Sequence, residues 1–322
     1  MSPPTSSICA VDRVIAVDWS GDRSVAGQRK KIWAGVWSSG AWRGKSTDSV
    51  TLETGRTRSE LTEWLIALAR ETPRMVVGID CCFSFPAWFL AEHGCATVFD
   101  FWAAVASGRG EEWLHCDCED ARFWGVVGNG RNGKRPHEFS GSGLRRMMRT
   151  TDWENKIAPR QEGGDACRAA KMRGITAKSP FQIGGSGSVG TGSLRAMSVL
   201  RRLRDAGFRV WPFDSARLTH EPPGPLLIEM YARLLTGPVA KSNPKARKLY
   251  LANRRKEDAA YAEVSRSTLR KAWENEDAFD ALVSCLEMVR WRAEFAALTA
   301  TSNPVLQLEG ITWHPGVQEG ME

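Results

Sequence analysis

A chain of 322 residues, 42% hydrophobic and 25% charged, can bury a full core and has the composition of a soluble globular protein rather than a disordered or fibrous one. Its 44 Lys+Arg outnumber 37 Asp+Glu, and the resulting +7 favours an anionic partner, nucleic acid first. No apolar run reaches the roughly 18 residues of a membrane span, and MSPPTSSICAVDR lacks the basic start and apolar core of a secretory signal. The 8 cysteines are scattered without a disulfide framework, so a reducing cytoplasm is the expected compartment.

Residues 13–55 predict three strands. Val14 to Asp18 is apolar, GDRSVAGQRK is a polar turn, Lys31 to Trp37 is apolar again, and Trp42 to Leu52 forms a more polar third strand after SSG. This is an antiparallel meander. RSELTEWLIALARETP follows as a helix, with Leu61, Leu65 and Leu68 at helical spacing and Pro73 as its stop. MVVGID then reads as an apolar strand, and a strand reached through a helix predicts a parallel crossover. From about 98 to 174 the pattern degrades into Gly-rich, basic sequence, expected as an insertion or cap on a single domain spanning 1–322. Regular structure returns with SLRAMSVLRRLRDAG (helix), FRVWPFD and PLLIEMY (strands) and NPKARKLYLANRR (helix). A long helical stretch from Trp273 to Leu298 follows, and LEGITWHP is expected as a closing strand.

Four of these segments carry acids where acids are costly. Asp18 lies at the end of VIAVD, Asp80 ends VVGID, Glu229 sits within LLIEMY, and Asp277 and Asp280 fall i,i+3 on one helix face. A buried carboxylate without a counter-charge costs several kcal/mol, so it is paired, protonated or holding a cation. Clustered carboxylates are hard oxygen ligands suited to Mg²⁺ or Mn²⁺, and two such ions about 4 Å apart activate water against a phosphodiester. Each acid also has a structural alternative: Asp18 and Asp80 as turn or helix caps, Glu229 on an edge strand, Asp277 in an acidic first turn.

The order of these acids is similar to that of the ribonuclease H-like fold, with the Holliday-junction resolvases as near look-alikes. More narrowly, the chain resembles a bacterial and archaeal family of predicted RNase H-like nucleases. The resemblance rests on VIAVDWSG (14–21), VVGIDCCFSFP (76–86), KSPFQIGGSGSVGTGSL (178–194), VWPFD (210–214), LLIEMYARLL (226–235) and DAFDALVSCLEM (277–288). It implies an α/β fold whose mixed sheet joins an antiparallel three-stranded meander to parallel strands, flanked by helices. It also implies metal ligation by Asp18, Asp80 and Asp280, with Asp277 as a second ligand or outer-shell base and Glu229 as the late strand acid. Ala232 stands where the family has a proline, and Cys81 and Cys82 replace small or proline residues.

Substrate contacts are expected from Lys178, beside the Gly-rich stretch 185–190, and from the basic run with Lys241, Lys245, Arg247 and Lys248. His115, Cys116, Cys118 and Cys167 lack the spacing of a standard zinc finger. A metal-dependent nuclease is therefore the leading expectation. Two rivals share the topology: an ATPase of the actin and sugar-kinase type, using the Gly-rich loop for phosphate, and a non-catalytic adaptor that binds an anionic partner.

Overall fold

A computed structural model describes residues 11–115, 118–125, 127–128, 131–132, 143, 146–154, 178–185 and 188–318. The main sheet contains β1 (Arg13–Asp18), β2 (Trp33–Ser38), β3 (Ser49–Thr54) and β4 (Met75–Asp80). A short hairpin of β5 (Val127–Gly128) and β6 (Arg131–Asn132) stands apart from it. The sheet is completed by β7 (Arg209–Trp211) and β8 (Leu226–Met230). Its 6 strands run in the order β3-β2-β1-β4-β8-β7. The first three form the antiparallel meander, and β4, β8 and β7 are parallel to β1.

The meander is interrupted. Where the sequence reads as a polar turn, α1 (Val25–Lys31) forms, capped by Ser24, whose hydroxyl accepts from the Gly27 amide at 3.0 Å. Three basic residues in its last turn suit the helix dipole, but only Gln28 is buried, so no apolar periodicity announces it. The expected third strand begins later, at Ser49. α2 (Arg58–Glu71) matches expectation, opened by a Thr57/Glu60 capping box and burying Leu61, Leu65 and Ala69.

Alternation along the central strands separates two cores. Ile15, Val17, Val77, Ile79 and Leu227 face α2 and the long helix Gly190–Asp205, in an apolar cluster with Leu61, Leu65 and Leu200. Val14, Ala16, Val76, Ile228 and Met230 face the other way, against Cys285, Met288 and Val289. α3 (Ala87–Glu92) precedes the expected insertion, whose start is regular: α4 (Val98–Ala104) and α5 (Gly110–Leu114) join α3 in burying Phe89, Phe101, Trp102 and Trp113 in the first core. Residues 116–117, 126, 129–130, 133–142, 144–145 and 155–174 of that stretch lie outside the described residues, as do 175–177. α6 (Thr150–Glu154) precedes the last of these ranges, and α7 (Gly190–Asp205) follows it.

The C-terminal part carries α8 (Ala232–Thr236), α9 (Pro244–Glu257), α10 (Ala259–Ala262), α11 (Arg266–Glu274) and α12 (Glu276–Arg290). The expected long helix from Trp273 is thus split at Asn275, whose side chain accepts from the Ala278 amide at 2.8 Å and starts α12 afresh. LEGITWHP is not a strand. After α13 (Pro304–Glu309), this segment returns to the sheet through a bond from the Trp313 amide to the Glu229 carbonyl, 2.8 Å long.

α12 lies unusually close to the sheet because three adjacent strands present a row of small residues, Gly35 beside Ala16 beside Gly78. A Cβ on Gly35 would stand 2.4 Å from the Ala281 carbonyl oxygen, and one on Gly78 would stand 2.9 Å from the Met288 sulfur. Gly35→Ala is therefore expected to cost about 1–3 kcal/mol in urea unfolding, because the helix must lift away from β2. A loss below about 0.5 kcal/mol would show that α12 is not seated on this row.

Candidate active site

β1 and β4 are parallel neighbours with Val17 opposite Ile79, so the next row pairs Asp18 with Asp80 at the carboxyl ends of both strands. By alternation both side chains continue the Ala16 and Gly78 face, the face covered by α12. The close seating of α12 brings in Asp280, which is only 3% exposed, and Asp277 one turn earlier.

The electrostatics report this convergence. Burial pushes the Asp18 carboxyl well above its ordinary range, and the nearby charges of Asp280, Asp80 and Asp277 push it the same way. Asp80 is raised to about 7, by burial first and Asp280 next, against the opposing pull of Lys241 and the Ala232 amide. Burial also raises Asp277 and Asp280. A cation pairs directly with the cluster: Lys241, from the loop before α9, forms an ion pair with Asp280 Oδ2, while the charges of Lys31 and Arg247 also act on Asp277. Burial pulls the Lys241 amine down, but Asp280 outweighs it and holds the amine above its ordinary value. The second oxygen of Asp280, Oδ1, is buried with no hydrogen-bond partner among the described residues. No group of three His, Cys, Asp or Glu among the described residues is arranged to hold a metal ion as it stands.

Glu229 is elsewhere. It pairs in register with Ile79, whereas Met230 pairs with Asp80, so Glu229 points to the opposite face of the sheet. It is 2% exposed, and its carboxylate is fully engaged. Arg149 binds it bidentately at 2.5 and 2.7 Å, the Phe83 amide donates at 2.7 Å and the Thr312 hydroxyl at 2.6 Å. The late strand acid is thus half of a buried ion pair, on the face away from Asp18 and Asp80.

No protein-family model, curated protein or solved structure matches the chain.

The basic residues divide. Lys241 belongs to the acid cluster, as its counter-ion. Arg247 is buried and donates to the carbonyls of Trp273 and Lys241, fixing the loop that delivers Lys241. Lys178 and Lys245 are exposed. Of the Cys and His alternative, Cys116 and Cys167 lie outside the described residues, and Cys118 is buried.

Two site features lacked a sequence signal. Trp19, directly after Asp18, and Tyr231, directly after β8, line a cavity of about 420 Å³ that Asp80 also borders. The first turn of α7 forms part of its wall, bringing Thr191 and Gly192 close to the β1–α1 loop. A Cβ on Gly21 would lie 2.6 Å from the Gly192 nitrogen, which explains a glycine there although its φ is unexceptional. Among the described residues, no helix is long and apolar enough to cross a membrane.

Proposed function

We propose that the protein is a metal-dependent nuclease of the ribonuclease H-like type, acting on phosphodiester bonds of DNA or RNA. The observation that carries this reading is the meeting of Asp18, Asp80 and Asp280, with Asp277 beside them, at the carboxyl ends of two parallel strands beneath one helix. The antiparallel meander followed by helix-linked parallel strands supports the same fold family. The residues fit a divalent ion by donor chemistry: all are hard carboxylate oxygens, one of them buried without a partner. The ammonium of Lys241 pairs with Asp280 and leaves Asp18 and Asp80 raised by burial and by the charge of Asp280.

Asp18, Asp80 and Asp280 would hold Mg²⁺ or Mn²⁺. Once bound, the ion supplies an activated water and stabilises charge on the scissile phosphate. Asp277, less buried and in the first turn of α12, is placed to accept a proton at its carboxylate from outside the ligand set. Lys241, when released from Asp280, is free to meet a phosphate oxygen. Glu229 takes the role of an anchor and makes no contact with the reacting groups.

Cleavage of labelled single-stranded, duplex and branched DNA and RNA in Mg²⁺ or Mn²⁺ tests this reading. Asp18→Asn and Asp280→Asn should each lower the rate by at least about 100-fold; the urea midpoint should hold or rise for Asp18→Asn and fall for Asp280→Asn, which leaves Lys241 without its partner. Variants that cleave as fast as the original would sink it. A second reading, an ATPase of the actin and sugar-kinase type, draws on the packing of the Asp18–Gly21 loop against the first turn of α7. Tight ATP binding by calorimetry, with no cleavage of any nucleic acid, would select it.

A further inference from the structure

We propose that the cavity beside the acids receives a single unpaired nucleobase, so that the preferred substrate is a single strand or a duplex with an extruded nucleotide. This rests on the nuclease reading and specifies the substrate of that same site.

Trp19 and Tyr231 give the cavity two aromatic side chains, and Trp19 is held in place. Trp19 follows Asp18 without a break, and its indole N–H donates to the Gly192 carbonyl at 2.9 Å. The loop that carries it is held by Arg58, which donates to the carbonyls of Ser20 at 3.1 Å and Asp22 at 2.7 Å. Arg195 adds a bond to the Gly21 carbonyl. Gly192 leaves the indole uncrowded, since even an added Cβ there would stand 3.5 Å from the Trp19 ring. Tyr231 lies one residue beyond Met230, the register partner of Asp80, and Asp80 acts electrostatically on its phenol after burial has raised it. Two half-buried rings thus adjoin Asp80, one of the carboxylates that would hold the divalent ion.

Size and lining suit the guest. At about 420 Å³ the cavity sits at the low end of small-molecule sites, enough for one base and its sugar. The residues described as lining it include Asp22 and Asp80 and no Lys or Arg. Asp22 is already paired with Lys31 at 2.8 Å, so this lining offers a stacking surface and no cationic phosphate clamp, which suits the base while the phosphate meets the ion that the acid cluster would hold. A base within a duplex has both faces covered by its neighbours and cannot reach Trp19 unless it is extruded. Stacking on an aromatic ring does not discriminate among bases, so the preference expected is for unpaired structure rather than sequence.

The test is binding of labelled oligonucleotides to the full chain, with Ca²⁺ in place of Mg²⁺ so that affinity is read apart from cleavage. A single strand and a duplex with one bulged nucleotide should bind at least about 10-fold more tightly than the fully paired duplex. Trp19→Ala and Tyr231→Ala should each weaken single-strand binding by about 5- to 150-fold and leave duplex binding within about 2-fold. Tyr231→Phe, which keeps the ring, should bind like the original, and this separates stacking from loss of fold. Equal affinity for paired and unpaired substrates, or alanine variants that bind single strands unchanged, would overturn the inference. Cleavage in Mg²⁺ without that preference would overturn the base pocket and keep the nuclease. A preference for unpaired strands without cleavage would do the reverse. Tight ATP binding that competes for the cavity would overturn it in favour of a nucleotide site.

Discussion

Arg149→Ala should lower the unfolding free energy by about 3–5 kcal/mol in urea titration, the range for breaking a buried ion pair by removing one partner. Arg149 is 0% exposed and serves two acids: Glu229 bidentately, and Asp152 at 2.8 and 2.9 Å. It also donates to the Glu309 carbonyl at 3.0 Å, and the Glu309 carboxylate accepts from the amides of Ala87 and Thr150 at 2.8 and 2.5 Å. One guanidinium thereby joins β8, the β4–α3 loop, α6 and α13. Its removal leaves Glu229 and Asp152, 2% and 8% exposed, without a counter-charge. Arg149→Lys should recover only part of the loss, because a point charge cannot fork to two carboxylates. Glu229→Gln separates anchor from ligand. Its expected effect is on stability, about 2 kcal/mol or more, with Mn²⁺ affinity by calorimetry unchanged. A large fall in Mn²⁺ affinity with stability intact would return Glu229 to the proposed ligand set.

The division of the five acids shows what a sequence can and cannot reveal here. Apolar runs ending in Asp18 and Asp80 mark two central strands, because few other environments require five consecutive buried residues. The i,i+3 spacing of Asp277 and Asp280 places them on one face of α12, and the structure brings that face to the strand ends. Glu229 lies within an equally apolar run, yet its side of the sheet depends on a register that slips by whole residues without any change in composition. The residues that resolve the ambiguity, Met230 opposite Asp80 and Arg149 across the sheet, are 150 positions or more apart from some of their partners or carry no local signal. Lys241 illustrates the same limit: a lysine in a basic run reads as a phosphate contact until its distance to Asp280 is known. α1 escaped for another reason, since a helix that buries a single residue leaves no periodic trace.

Metal-free protein should lose stability as pH rises from about 4 to about 7, with Asp80 as a main cause. An unfolded aspartate titrates near 3.9, whereas burial and Asp280 hold folded Asp80 at about 7. Below pH 4 both states are protonated, so the site costs nothing. Between the two values the unfolded chain has released its proton and the folded chain has not, and each pH unit then favours unfolding by about 1.4 kcal/mol. The accumulated penalty at pH 8 is roughly 2–4 kcal/mol, and Asp18, raised by the same causes, adds to it in the same direction. Asp80→Asn removes the titration and keeps the shape. It should raise the urea midpoint at pH 8, leave it unchanged at pH 4 and flatten the profile between. Saturating Mg²⁺ should stabilise the original protein at pH 8 by linkage and do much less for Asp80→Asn, which lacks one of the three carboxylates. If Asp80→Asn instead loses stability at pH 8, the ionised carboxylate is held favourably by Lys241 and the Ala232 amide. The acid cluster would then be a settled ion-pair network, with no unmet demand for a divalent ion.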